Sequence, residues 1–359
     1  MTSLPILSLF CFGFEGTTLP DHFRSLLDAG LGGVILFARN LRNLEQICRL
    51  TADFHAAASA PLLIGVDQEG GRVRRLPAPF LPPPSAATLG IANDPALTNS
   101  LARTVGRELS AAGFTWNLAP VLDVRTNPAN PVIGDRAFSH DPDQVARQGV
   151  AAIQGLMEAG VLATAKHFPG HGDTVADSHL TLPESPQSSS RWRAVEFLPF
   201  QHAIRAGVPL VLVAHLSCPA LDPASPTSLS RPLITEILRE ELGFDGVVVS
   251  DDLQMSAIAD RFDLGEAAVR FLDAGGDLVL LCQDTERQRA AVEAVNAARR
   301  SGRLSEARLK ASVDRVAHLR EWVATHRTPV DVENARTIVG AREHQQLLHA
   351  IRATAGHSP

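Results

Sequence analysis

The stretch KHFPGHGDTVADSH, residues 166–179, gathers Lys166, His167, His171, Asp173, Asp177 and His179 around two glycines and a proline. Two chemistries suit such a set. Histidines and carboxylates can ligate a transition metal, or they can move protons near neutral pH. The chain contains neither H-E-x-x-H nor an H-x-H pair, so a metal site would lack its familiar spacing. The tripeptide Asp177-Ser178-His179 fits the second chemistry. On an extended segment residues two apart project to one side, so Asp177 can accept from one ring nitrogen of His179 and aim the other at a substrate. Taken alone, the tripeptide reads first as an ordinary polar loop whose aspartate bonds neighbouring backbone.

Such residues need rigid elements behind them. Near-continuous apolar runs recur along the chain: GGVILFARN, PLLIGVDQEGG, FTWNLAPVLDV, GVLATAKHFPG, VPLVLVAHLS, FDGVVVSDDL and GGDLVLLCQD. Lacking polar alternation, they read as parallel strands buried on both faces. A first strand near Leu7 to Phe12 brings the number to about eight. Between them lie amphipathic stretches such as PALTNSLARTVGRELSAAG and DPDQVARQGVAAIQGLMEAG, several ending in glycine, a helix stop. Ser190, in SPQSSSR, is expected to cap the helix that follows. Eight strand-helix units are what a TIM barrel closes with. The polar residues fall where each apolar run ends, at Arg39, Asp67, Asp123, Lys166 with His167, His215 and Asp251. In a barrel those positions share the face that carries active sites, and a doubly wound open sheet would also bind ligands at its strand C-termini. The fold class expected is α/β, a single-domain (β/α)8 TIM barrel over 1–330, with extra C-terminal helices in a tail, 331–359, that packs on or extends the barrel.

Bulk properties narrow the function classes. With 45% apolar and 20% charged residues the chain can fill a large core. Its net charge of −6 and pI near 6.1 provide no general attraction to nucleic acid. Four cysteines, Cys11, Cys48, Cys218 and Cys282, stand far apart, which is neither a disulfide framework nor a zinc ribbon. The N-terminal MTSLPILSLFCFGFEG lacks the basic region of a signal peptide, and no stretch reaches the roughly 20 apolar residues of a membrane span. A cytoplasmic protein, a monomer with no nucleic-acid or membrane partner, is expected.

The segments KHFPGHG and DSH, with DQEGGRV and NPVIGDRAF before them and SDDLQM after a later strand, together resemble glycoside hydrolase family 3. Within it they are similar to the β-N-acetylglucosaminidase branch, the NagZ-type enzymes. The likeness runs in order from about residue 32 to about 284. It implies that Asp251 is the nucleophile, His179 the general acid/base and Asp177 its partner. It further implies that Asp67, Arg75, Arg136, Lys166 and His167 bind the sugar, with no metal and no cofactor. The implied substrate is a small carbohydrate, a GlcNAc-containing muropeptide. Asp252 competes with Asp251, but successive residues on a strand point opposite ways, so only one should face the pocket. Arg72 and Arg74 are near alternatives to Arg75. His171, Gly170 and Gly172 read as loop-shaping, the glycines through positive φ and His171 through bonds to backbone. His215 reads as a buttress and Trp116 as core. A phosphorylase or a broader β-glucosidase/hexosaminidase of the same family, and a non-catalytic sugar-binding protein, are the rival readings.

Overall fold

The computed structural model describes residues 4–176, 178 and 181–356. Eight short strands occur where the apolar runs place them: β1 (Phe10–Phe12), β2 (Gly33–Leu36), β3 (Leu63–Val66), β4 (Trp116–Asn117), β5 (Thr164–Phe168), β6 (Leu210–Val213), β7 (Val247–Ser250) and β8 (Val279–Leu281). Every residue in them is buried, which is why the runs lack polar alternation.

The ladders form two parallel sets, β4-β3-β2-β1-β8 and β5-β6-β7. Two seams join them into a closed ring. At the first, Trp116 and Val121 bridge in parallel to Leu162 and Lys166, and the Thr164 N–H donates to the Ala119 carbonyl at 2.8 Å. Pro120 lies in this seam and has no N–H to give, so the pairing there is broken. At the second, Val249 bridges to Leu278, and the Leu253 N–H reaches the Leu280 carbonyl at 3.1 Å. Closure of all eight parallel strands makes this a (β/α)8 barrel and removes the open-sheet alternative. Trp116 is core, fully buried, with its indole N–H donating to Thr164 Oγ1 at 2.6 Å.

The outer helices start on the expected side chains. Asp94 caps Pro95–Ala111 and Asp141 caps Pro142–Glu158, each with proline in the first turn, where its missing N–H costs nothing. The helical stretch from Ser189 is capped by Ser188, whose Oγ accepts from the Arg191 N–H at 3.3 Å. Ser190, expected in that role, already lies inside the first turn, because the cap must precede the residues whose N–H groups it satisfies. Among the described residues no helix is long and apolar enough to cross a membrane.

Beyond residue 330 the chain forms helices Val332–Ile338 and Arg342–Thr354. Both pack on Pro95–Ala111; the first also meets Leu44–Ala57 and the second Ala86–Ala92. Glu108, 2% exposed, fastens them. Its Oε1 accepts from the Gly340 N–H at 2.9 Å and His344 Nδ1 at 2.6 Å, and its Oε2 from the Leu81 N–H at 2.7 Å. Glu108→Ala would strand three buried donors, and at a cost of about 1–3 kcal/mol for each unsatisfied group the variant should lose roughly 3 kcal/mol of stability. A lower thermal midpoint, with protease cutting first within 331–356, is the expected readout.

Candidate active site

A cavity of about 400 Å³ opens at the C-terminal ends of the strands. Asp67, Arg75, Arg136, Lys166, His167 and Asp251 all line it, although up to 184 residues separate them, the span from 67 to 251. Asp67 follows β3, Lys166 and His167 lie within β5, and Asp251 follows β7. Arg75 comes from a loop and Arg136 from the short 3-10 helix Gly134–Arg136. The loop after β3 doubles back through an antiparallel Gly70–Val73 bridge, and Gln68 Oε1 accepts from the Arg75 N–H at 2.9 Å. Arg72 instead binds the carbonyls of Pro131 to Ile133 and pairs with Asp135 at 3.2 Å, and neither it nor Arg74 lines the cavity. Asp177 and His179 lie outside the described residues.

Lys166 and His167 both reach the cavity although they are adjacent. Strand alternation would send one of them away, but the β5–β6 register shifts between Ala165 and Phe168. Lys166 is held by Asp67 Oδ1 at 2.7 Å and Glu69 Oε1 at 2.6 Å. Arg136 grips Glu69 with two parallel bonds of 2.8 Å, the fork geometry that suits a guanidinium. Burial would push the Glu69 carboxyl up, but the Lys166 and Arg136 charges prevail and hold it well below the usual carboxylate range. Burial likewise opposes the Lys166 charge, and Asp67 with Glu69 keeps the ammonium protonated above its ordinary value. Arg75 stands 3.8 Å from Asp67, and its buried Nε has no hydrogen-bond partner among the described residues. These groups form a fixed array of donors and acceptors, the arrangement that grips polyhydroxylated ligands.

The expectation that only one of Asp251 and Asp252 faces the pocket is not met. Both line the cavity, because β7 ends at Ser250 and a turn carries no alternation. Their carboxylates differ in use. Asp252 Oδ1 accepts from the Gln254 N–H at 3.1 Å and the Cys282 N–H at 3.2 Å, tying the end of β7 to the end of β8. Burial pushes its pKa up to about 6. Asp251 accepts from the Asp252 N–H at 2.9 Å, and its own N–H continues the ladder to the Val213 carbonyl at 3.0 Å. His215 is fully buried and reaches Ser228 Oγ at 2.7 Å and the Asp252 carbonyl at 3.0 Å. It buttresses the turn that presents both aspartates.

The KHFPGHGDT loop is pinned at its root. The His171 ring meets Thr174 Oγ1 at 2.6 Å and Ser178 Oγ at 3.3 Å, and it lines the cavity. Burial lowers its pKa. Gly170 has φ +136°, as expected for its role, whereas Gly172 is needed for another reason. A Cβ there would sit 1.8 Å from the Val124 carbonyl oxygen. Asn130 Nδ2 donates to the His171 carbonyl at 2.7 Å, and on the return side Gln187 Nε2 donates to Asp173 Oδ2 at 2.9 Å. The charge-poor PESPQSSS stretch thus contributes a neutral amide that anchors the loop.

Two groups central to this geometry had no role assigned from the sequence, Glu69 and Asp123. Glu69 stands two residues from Asp67, the same spacing that singled out Asp177 and His179. Asp123 ends an apolar run, and in the fold it is fully buried against His167. Among the described residues no group of three His, Cys, Asp or Glu side chains is placed to hold a metal ion.

A model of the glycosyl hydrolase family 3 N-terminal domain matches residues 15–319. A β-hexosaminidase of Alkalilimnicola ehrlichii is 41% identical over 288 residues, covering 78% of this chain and 82% of the relative. Among solved structures, a family 3 β-N-acetylglucosaminidase from Paenibacillus sp. superposes with a TM-score of 0.95 at 41% identity, covering 99% of this chain and 69% of that one. NagZ from Neisseria gonorrhoeae, in complex with N-trifluoroacetyl-D-glucosamine, superposes with a TM-score of 0.78 at 31% identity, covering 97% of this chain and 98% of that one.

Proposed function

The chain belongs to glycosyl hydrolase family 3, and from that membership we propose that it is a β-hexosaminidase, a retaining exo-acting enzyme that releases terminal β-linked GlcNAc. Its substrates would be peptidoglycan-derived fragments such as GlcNAc-1,6-anhydro-MurNAc, with or without a stem peptide. The observation that carries this reading is the convergence of the strand-end carboxylate Asp251 with Asp67, Arg75, Arg136, Lys166 and His167 in one cavity. Its volume lies at the lower end of the roughly 300–1,000 Å³ usual for small-molecule sites, which favours a terminal sugar over a polymer. The GlcNAc analogue bound by the Neisseria gonorrhoeae relative supports an acetamido sugar. Four free, buried cysteines are compatible with work in the cytoplasm.

In the proposed cycle Asp251 attacks the anomeric carbon as protonated His179 gives its proton to the glycosidic oxygen. The carbon–oxygen bond breaks, the aglycone leaves as an alcohol, and a glycosyl ester remains on Asp251. Water then attacks the same carbon, His179 takes its proton, and Asp251 departs, so two inversions return the β-sugar. Asp177 orients the imidazole. Asp67, Lys166 and Arg136 hold the hydroxyls with charge-assisted hydrogen bonds that need no reorganisation during the reaction.

The test is turnover of 4-nitrophenyl β-GlcNAc and of GlcNAc-1,6-anhydro-MurNAc, followed by proton NMR in phosphate and in non-phosphate buffer. β-GlcNAc should appear first in both buffers. GlcNAc-1-phosphate as the main product would make the enzyme a phosphorylase, and no turnover of any β-GlcNAc substrate would leave only sugar binding.

A further inference from the structure

Asp123 has no exposed surface, and its carboxylate serves two neighbours. Oδ2 lies 2.6 Å from His167 Nδ1. Oδ1 accepts from the His171 N–H at 2.6 Å and faces the His167 N–H at 3.4 Å. Oδ1 thus faces two backbone N–H donors, surroundings that favour the ionised carboxylate. An ionised carboxylate only accepts, so the proton between Asp123 and His167 belongs to Nδ1. On the other side of the ring, Nε2 stands 3.2 Å from Arg136 Nη2. A guanidinium only donates, so Nε2 must be bare. His167 is therefore a neutral imidazole with its proton on Nδ1.

This state fixes Arg136. Its Nε and Nη2 donate to Glu69, its second Nη2 hydrogen to His167 Nε2, and Nη1 to the Val132 carbonyl at 3.2 Å. With the proton on Nε2 instead, two donors would face each other in a buried site.

We propose that Asp123 is a positioning residue of the glycosidase reaction: it holds His167 in the Nδ1–H tautomer, and the bare Nε2 then seats the Arg136 guanidinium in the sugar cavity. The inference rests on the reading that this cavity holds the sugar. Asp123→Asn tests it with little change in shape. Two backbone N–H groups at the Oδ1 position favour the amide oxygen there, which leaves the NH2 facing His167 Nδ1. The imidazole must then carry its proton on Nε2, against Arg136.

The experiment is long-range proton–nitrogen NMR of the protein labelled with ¹⁵N-histidine, with His167 assigned through His167→Gln. Wild type at pH 7 should show Nδ1–H. Folded Asp123→Asn, its fold checked by thermal melting and near-UV circular dichroism, should show Nε2–H. Its kcat/KM should fall on the order of 100-fold, the scale of a small misplacement in a catalytic site. A wild-type His167 protonated on Nε2, or on both nitrogens, would overturn the proposal, and that measurement stands even if the variant does not fold. A folded variant that keeps either the wild-type tautomer or the wild-type kcat/KM would overturn it as well. Because the tautomer is read without substrate, a failure here is separable from a failure of the hydrolase reading; without turnover, N-acetylglucosamine affinity replaces kcat/KM.

Discussion

Asp251→Ala is expected to lower kcat on 4-nitrophenyl β-GlcNAc by at least about 10⁴-fold, the scale seen when a nucleophile that acts within a catalytic unit is removed. KM should change far less, since Asp67, Arg136, Lys166 and His167 still line the cavity. The chemistry supplies a sharper signature than the loss itself. Azide can occupy the space vacated by the carboxylate and attack the same face of the sugar, so it should restore turnover and yield the α-glycosyl azide. Asp252→Asn is the control. Its Oδ1 accepts the backbone N–H groups of Gln254 and Cys282, and an amide keeps that oxygen, so the change should alter both stability and rate far less than Asp251→Ala does. A fluorosugar adduct mapped by mass should fall on Asp251; equal rates for wild type and Asp251→Ala would remove it from the mechanism.

The second large effect is expected at Glu69. Its side chain is 7% exposed and pairs with Lys166 at 2.6 Å and Arg136 at 2.8 Å. Breaking a buried ion pair by removing one partner costs about 3–5 kcal/mol, because the remaining charge stays desolvated. Lys166 keeps Asp67 at 2.7 Å, so Glu69→Gln should lose about 3 kcal/mol, at the low end of that range. Arg136 loses its bidentate acceptor, and kcat/KM should drop on the order of 100-fold. The acid dependence has a definite sign. The folded pKa of Glu69 is depressed, so its stabilising contribution is complete above the ordinary glutamate value of about 4.3. It is lost as pH falls through the lower folded value. The stability difference between wild type and Glu69→Gln in denaturant melts should therefore begin to narrow below about pH 4, and a constant difference down to pH 2 would contradict the pairing.

Much of the scaffold could be read from local pattern. Runs such as GGVILFARN and FDGVVVSDDL are apolar because a barrel strand is covered on both faces, and that requirement leaves its mark within a few residues. The polar residue ending each run could be placed at the catalytic face by the same logic, which brought Asp67, Lys166, His167 and Asp251 into one candidate site. The argument failed where local geometry departs from a regular strand. Alternation was applied to Asp251 and Asp252, which lie just past the strand's end, and it would have excluded either Lys166 or His167 in a β5 of even register. Glu69 was passed over because its meaning depends on Lys166 and Arg136, 97 and 67 residues away.

By itself the sequence determined the number and order of strand-helix units, the family, and the residue types gathered at the catalytic face, since burial and turn chemistry act on neighbours in the chain. Closure of the ring, the anchoring duty of Asp252, the Lys166–Glu69–Arg136 pairing and the proton position on His167 were decided only in the folded chain. Hydrogen bonds and ion pairs depend on distances of a few ångströms between distant segments, and only tertiary packing sets those distances.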